Sequence, residues 1–220
     1  LAIAALLSGI NWISFVWAAT HDRVLEASFG YYICPQVHVF LGVVILGERL
    51  NGMQWLAILF AGLGVIFIAT FSAGIPWIAL VMATSFALYG FVKKKVPIGV
   101  IPNLTLETGI MLVPAFAYLA YCGASQDQSL IQSSWWINGL IVFSGLLTVT
   151  PLALYGTAVR HIPLSTVGLL QFIGPSLQFL SGVFLLGETF DWVRLFGFVF
   201  VWIGLVIFLF SNRQMGRTAI

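Results

Sequence analysis

Charge is what this chain lacks most: 7% of its 220 residues are charged, nine Lys or Arg against seven Asp or Glu. An ordinary soluble domain carries about 25%. With 60% hydrophobic residues and a mean hydropathy of +1.06, a water-facing surface is excluded and lipid must cover most of the molecule. Cysteine is also scarce. Cys34 and Cys122 both fall in apolar stretches without metal-type spacing, which argues against a disulfide framework or a zinc site. No phosphate-cradling GxxxxGK[ST] loop is present, so primary pumping by this chain is not expected. There is no HExxH and no Asp in the interior of an apolar stretch, which disfavours an intramembrane protease or lipid hydrolase. The basic residues are dispersed without interleaved aromatics and the net charge is +2, so nucleic acid is not an expected partner. No cofactor and no metal are expected.

A membrane-spanning helix needs roughly 20 mainly apolar residues. Eight such stretches are present, at about 1–19, 24–47, 52–71, 76–92, 102–122, 135–157, 164–187 and 192–211. They fall into two copies of one pattern. Pro35, Gly42, Val43, Leu46, Gly47 and Glu48 recur 140 residues later as Pro175, Gly182, Val183, Leu186, Gly187 and Glu188. In the same register Ala18 pairs with Ala158, His21 with His161, Ile33 with Ile173, Phe60 with Phe200 and Gly64 with Gly204. Residues 1–71 hold three spans of the first copy and 72–220 all five of the second. Five spans is an odd number, so the two copies insert with opposite orientation, the pattern of a secondary transporter. The expected fold is all-α and polytopic: ten helices in two inverted repeats, eight of them in this chain and two preceding Leu1.

The basic residues give a side. Arg23 and Arg194 lie in one set of alternate loops; Arg49, Lys93, Lys94, Lys95, Arg160, Arg213 and Arg217 lie in the other or in the tail. Basic loops stay in the cytoplasm, so the second set and the C-terminus are expected inside, with Lys93 to Lys95 read as a topology determinant in preference to an anionic-lipid site.

Polar residues inside spans are costly and therefore point to function. Glu107 lies about six residues into its span, four after Asn103, so the two share a helix face on which a common polar partner or water is expected. It is either a group that takes up and releases protons or a carboxylate one turn from the interface that reaches headgroup water, with a loop lysine as an optional partner. Tyr31, Tyr32, Pro35, Gln36 and His38 cluster near the middle of one helix; Gln171, Phe172, Pro175, Ser176 and Gln178 do so in its repeat partner. A proline removes one backbone hydrogen bond and crowds the carbonyl four residues earlier, so Pro35 and Pro175 are expected to break their helices beside a substrate cavity. The candidate substrate-binding residues are these polar clusters with Asn11, Tyr89, Asn103 and Tyr155; Glu107 and His38 are the candidate proton-coupling groups. Glu48 and Glu188 end long helices, where the dipole disfavours a carboxylate, so a compensating donor is expected and loop anchoring is preferred to a gate.

The paired P, GV, LGE strings resemble the EamA domains of the drug/metabolite transporter superfamily. The stretches Arg23-Val-Leu-Glu-Ala-Ser, Gly47-Glu-Arg-Leu, Gln54-Trp-Leu-Ala and Lys94-Lys-Val-Pro are similar to its RarD-type subgroup of bacterial inner-membrane permeases. The resemblance implies ten helices around a central cavity and export or exchange of a small metabolite or drug. Its implied partners are a small-molecule substrate, membrane lipid and, as an option, a second copy forming a homodimer. An enzyme and a non-transporting scaffold or assembly factor are the rival readings.

Overall fold

The computed structural model describes residues 1–21, 23–70, 77–124, 134–184 and 192–217. Every regular element among them is helical: α1 (Ala2–Thr20), α2 (Val24–Phe40) running into a π turn (Leu41–Ile45), α3 (Gly52–Thr70), α4 (Trp77–Lys95), α5 (Val100–Ala124), α6 (Trp135–His161), α7 (Leu164–Gln171), α8 (Ile173–Phe184) and α9 (Trp192–Arg217). Five described helices are long and apolar enough to cross a membrane: Ala2–Thr20, Ala27–Ile45, Gly52–Thr70, Val100–Tyr121 and Trp135–His161. Polar punctuation fixes their ends. At the start of α3, Asn51 Oδ1 accepts from the Gln54 amide at 2.8 Å and Gln54 Oε1 accepts from the Asn51 amide at 3.0 Å, a reciprocal cap that satisfies two otherwise orphaned donors.

The two prolines behave differently from the sequence expectation. The helix α2 passes through Pro35 unbroken. There α7 lies so close that a Cβ on Gly168 would sit 2.7 Å from the Pro35 carbonyl oxygen. The irregularity comes later, in the π turn, where Leu46 N–H donates to the Leu41 carbonyl at 3.1 Å. Gly47 then adopts a left-handed φ of 66° and sends the Glu48 amide back to the Gly42 carbonyl at 3.0 Å. In the second copy the span does divide, at Phe172, three residues ahead of Pro175. Pro175 has no N–H for the Gln171 carbonyl, so the ladder parts there and Phe172 N–H turns to Leu169 at 3.3 Å.

The helices α3 and α9 pack antiparallel along their length. Asn51 bonds Ser211, Ala57 faces Gly204, Phe60 stacks on Phe200 with centroids 6.4 Å apart, and Gly64 faces Gly197. A Cβ on Gly64 would lie 2.5 Å from the Gly197 carbonyl oxygen, and one on Gly204 2.6 Å from that of Ala57. Small residues thus bring two backbones together where lipid supplies no hydrophobic drive for association. These contacts are reciprocal: 64 meets 57 + 140, 57 meets 64 + 140, and 60 meets 60 + 140.

Three apolar clusters lie between the helices among the described residues, the smallest joining Ala18, Ala27 and Met82. Two are larger. One joins Phe29, Val39, Ala57, Ala61, Val65, Ile68, Ala79, Leu169, Phe172, Val201 and Phe208; the other joins Cys34, Leu41, Ala83, Ala87, Val159, Leu164 and Val167. The second cluster frames the polar groups described next.

Candidate functional site

Buried polar groups concentrate in two adjoining clusters. In the first, His38 on α2 is fully buried. Its Nδ1–H donates to the Cys34 carbonyl at 3.0 Å, the ordinary back-bond of a helical residue to position i−4. In the neutral ring Nε2 is then an acceptor, and the Tyr155 hydroxyl of α6 donates to it at 2.6 Å. The Cys34 thiol is 3.7 Å from Gln171 Oε1 at the end of α7. Tyr155 and Gln171 also line a cavity of about 190 Å³ completed by Ala158, Ile162, Val167 and Leu170. The hollow is mainly apolar, and Tyr155 and Gln171 are the polar side chains that line it.

Room for this cluster comes from Gly90 of α4. A Cβ there would overlap Tyr155 Oη and stand 2.8 Å from His38 Nε2. Phe86, one turn earlier, packs edge-on to His38 and at 4.9 Å from the Tyr155 ring.

The second cluster joins α4 to α5. Lys93 Nζ donates to Glu107 Oε2 at 2.9 Å and to Asn103 Oδ1 at 3.2 Å, and the Tyr89 hydroxyl donates to the same Glu107 oxygen at 3.1 Å. Lys93 and Glu107 side chains are 0% and 5% exposed, so this is an ion pair taken wholly out of solvent. The ammonium also stands 5.1 Å from the Tyr89 ring centre. The periodicity behind it is simple: Tyr89 and Lys93 are four apart on one helix, Asn103 and Glu107 four apart on the next, and the two stripes face each other. Tyr89 and Tyr155 rings stack 6.3 Å apart and link the two clusters.

These contacts give the three lysines of the run different surroundings. Lys93 is buried and paired, and Lys94 donates to the Val159 and Ile162 carbonyls at 3.0 and 2.7 Å, closing the C-terminal end of α6; Lys95 alone is exposed. For Glu107 the pairing with a lysine is what the fold contains, and Asn103 shares that partner. The charge patterning along α4 was visible in sequence, but hydropathy placed Lys93 beyond the end of its span.

The remaining candidates are dispersed. Asn11 ties α1 to α4 by donating to the Met82 carbonyl at 2.9 Å. Ser176 accepts from Trp202 Nε1 at 2.9 Å. Tyr32 packs against Phe198, Gln36 lies beside Gly62, and Tyr31 is exposed. The Gln178 side chain lies outside the described residues, as do Glu188 and the second LGE string. The clustered site therefore comprises His38, Tyr155 and Gln171 with Tyr89, Asn103 and Glu107, to which the fold adds Cys34, Gly90 and Lys93.

Glu48 finds the donors its position demanded. Its Oε1 accepts from the Leu164 amide at 2.6 Å, and its Oε2 from the Ser165 amide at 2.9 Å and the Ser165 hydroxyl at 2.6 Å. The carboxylate leaving the end of one helix thus caps the N-terminus of another, where the dipole favours it. Replacing a cap of this kind costs about 0.5–2 kcal/mol. Glu48→Ala is expected at the upper end of that range and Glu48→Gln, which keeps one acceptor, at the lower, read from thermal unfolding midpoints in detergent; equal stability of all three proteins would show the cap to be energetically idle.

Membrane-length helices with buried polar clusters between them define a polytopic membrane protein. The model of the EamA-like transporter family matches residues 1–70 and 73–210, and the chain belongs to that family. It is 39% identical over 221 residues to Protein RarD of Escherichia coli (strain K12), covering 99% of this chain and 75% of that protein. An uncharacterized transporter of Vibrio cholerae is 38% identical over 219 residues, with 100% and 72% covered. The uncharacterized transporter YojE of Bacillus subtilis (strain 168) is 38% identical over 219 residues, with 100% and 73% covered.

Proposed function

We propose that this chain is a secondary-active permease of the bacterial inner membrane, with its C-terminus cytoplasmic, that exports or exchanges a small metabolite or drug by alternating access. The two repeats, divided near residue 71, stand inverted to one another and rock about the polar clusters. The observation that carries this reading is the reciprocal, antiparallel contact of α3 with α9, in which position 64 meets the equivalent of 57 and position 57 the equivalent of 64. A twofold exchange of partners within one chain is what an inverted repeat requires. The seven-to-two bias of basic residues supports the orientation.

The substrate contacts in this reading are Tyr155 and Gln171 at the cavity wall, with His38, bonded to Tyr155, and then Tyr89 and Asn103 behind them. Their apolar surroundings favour a small, partly apolar solute. Proton coupling is assigned to Glu107 or His38, the buried groups whose hydrogen-bond partners lie on other helices. Neither a cofactor nor covalent chemistry is required.

Flux in proteoliposomes against a panel of small metabolites and drugs, chloramphenicol among them, tests the proposal. The expected result is protein-dependent movement of at least one solute in unaltered form, weakened at least tenfold by Tyr155→Phe combined with Gln171→Leu. Chemical conversion of a solute would instead make the protein an enzyme, and a folded protein that neither moves nor alters any solute would make it a scaffold.

A further inference from the structure

Arg160, near the C-terminal end of α6, has an unusual hydrogen-bond inventory. Its Nη1 donates to the Ile98 carbonyl in the connection between α4 and α5, while Nε and Nη2 are buried and have no hydrogen-bond partner among the described residues. Nε–H and the adjacent Nη2–H point to the same side of the guanidinium plane and form the two-pronged edge that grips a planar oxyanion. A buried donor left unsatisfied costs about 1–3 kcal/mol, more for a charged group, so two on one cation mark a site built for an acceptor.

The surroundings reinforce this. Asn103 is fully buried, its Oδ1 is taken by Lys93, and its Nδ2, a donor, is likewise without a partner among the described residues. Arg160 and Asn103 meet the same stretch of chain: Arg160 bonds Ile98, and the Asn103 backbone N–H bonds the Gly99 carbonyl at 3.0 Å. One turn before Arg160, Gly156 packs against Val100 and lies beside the Lys93 stem. The charge at this helix end is unbalanced. Lys93 is opposed by Glu107, whereas neither Arg160 nor Lys94 has an acidic partner among the described residues, leaving an excess of positive charge at the junction of α4, α5 and α6. The fourth orphan atom, Glu107 Oε1, is an acceptor and takes no part in holding an anion.

We propose that the junction of α4, α5 and α6 binds a single oxyanion, a carboxylate or phosphate group, gripped by the Nε and Nη2 edge of Arg160 with the Asn103 amide and the Lys93 ammonium beside it. The group belongs either to a soluble ion or solute or to the headgroup of an anionic lipid. Binding here is independent of the permease reading, because it concerns occupancy of a site and not flux; a protein that transports yet ignores oxyanions would sink this inference alone.

The test uses the full chain in nanodiscs of phosphatidylcholine, with sodium acetate or sodium phosphate replacing sodium chloride at constant ionic strength. A saturable rise of the thermal unfolding midpoint is expected, with the apparent affinity weakened at least tenfold in Arg160→Lys, which keeps the charge and loses the fork. Asn103→Leu is expected to weaken it about fivefold and keeps the measurement decisive if Arg160→Lys does not fold. Replacing part of the lipid by phosphatidylglycerol separates the sources: a rise without added acetate that Arg160→Lys or Asn103→Leu removes assigns a headgroup, and a rise with soluble anions alone assigns a solute. Absence of any saturable rise beyond chloride in both lipids, or unchanged titrations in the variants, overturns the proposal.

Discussion

Lys93→Met is expected to destabilise the protein by about 3–5 kcal/mol, the usual cost of removing one partner from a buried ion pair. The size follows from what is left behind. Glu107 keeps its charge inside the bundle with only the Tyr89 hydroxyl on one oxygen, 3.1 Å away, while its other oxygen already lacks a partner among the described residues. Asn103 Oδ1 loses its donor as well. The double variant Lys93→Met with Glu107→Leu removes both charges together and is expected to recover most of the loss, because the pair itself contributes little net stability once its desolvation is counted. Unfolding midpoints of the four proteins of this cycle in detergent decide the matter. Equal losses in the single and double variants would mean that the contact seen between α4 and α5 is not maintained. If coupling passes through Glu107, the stable double variant transports without a proton dependence or not at all.

Gly90→Ala is the second large effect, expected at roughly 2–4 kcal/mol from overpacking together with a lost buried hydrogen bond. The added methyl falls on Tyr155 Oη and within 2.8 Å of His38 Nε2, so the 2.6 Å bond between those groups cannot survive in place. Neither neighbour yields easily: His38 is fully buried and tied to the Cys34 carbonyl, and the Tyr155 ring is held between Phe86 and Tyr89. Adding Tyr155→Phe removes the atom that the methyl meets, so the double variant is expected to regain part of the stability while losing the polar cluster. A Gly90→Ala protein as stable as the parent, with undiminished flux, would show that His38 and Tyr155 are not joined in the working protein.

The sequence marked several of these positions and misjudged others for identifiable reasons. The span limits were legible because hydropathy is a local quantity: 52–71 against Gly52–Thr70, and 192–211 within Trp192–Arg217. Glu107 and Asn103 were legible as a pair because four residues of helix put them on one face. Their partner was not, since Lys93 sits in a run of three lysines whose common chemistry hides that one is buried, one caps α6 and one faces outward. Pro35 and Pro175 looked equivalent, yet only the second accompanies a break, at Phe172, since each proline removes the same kind of bond and only the surrounding fold sets the course of the helix past it. Gly90 gave no signal at all. In a chain with 22 glycines, only the side chains brought against one of them reveal which must lack a Cβ.

The sequence by itself determined the solvent, the positions of the apolar stretches and the 140-residue repeat, since each depends only on the order of residues along the chain. The tertiary structure decided which helix faces meet, and so which polar groups are satisfied. Glu48 on Leu164 and Ser165, His38 on Tyr155 and Lys93 on Glu107 are bonds between different helices. Their existence turns on rotations and separations of whole helices to within about an ångström, because a hydrogen bond weakens steeply beyond its narrow range of distance and angle.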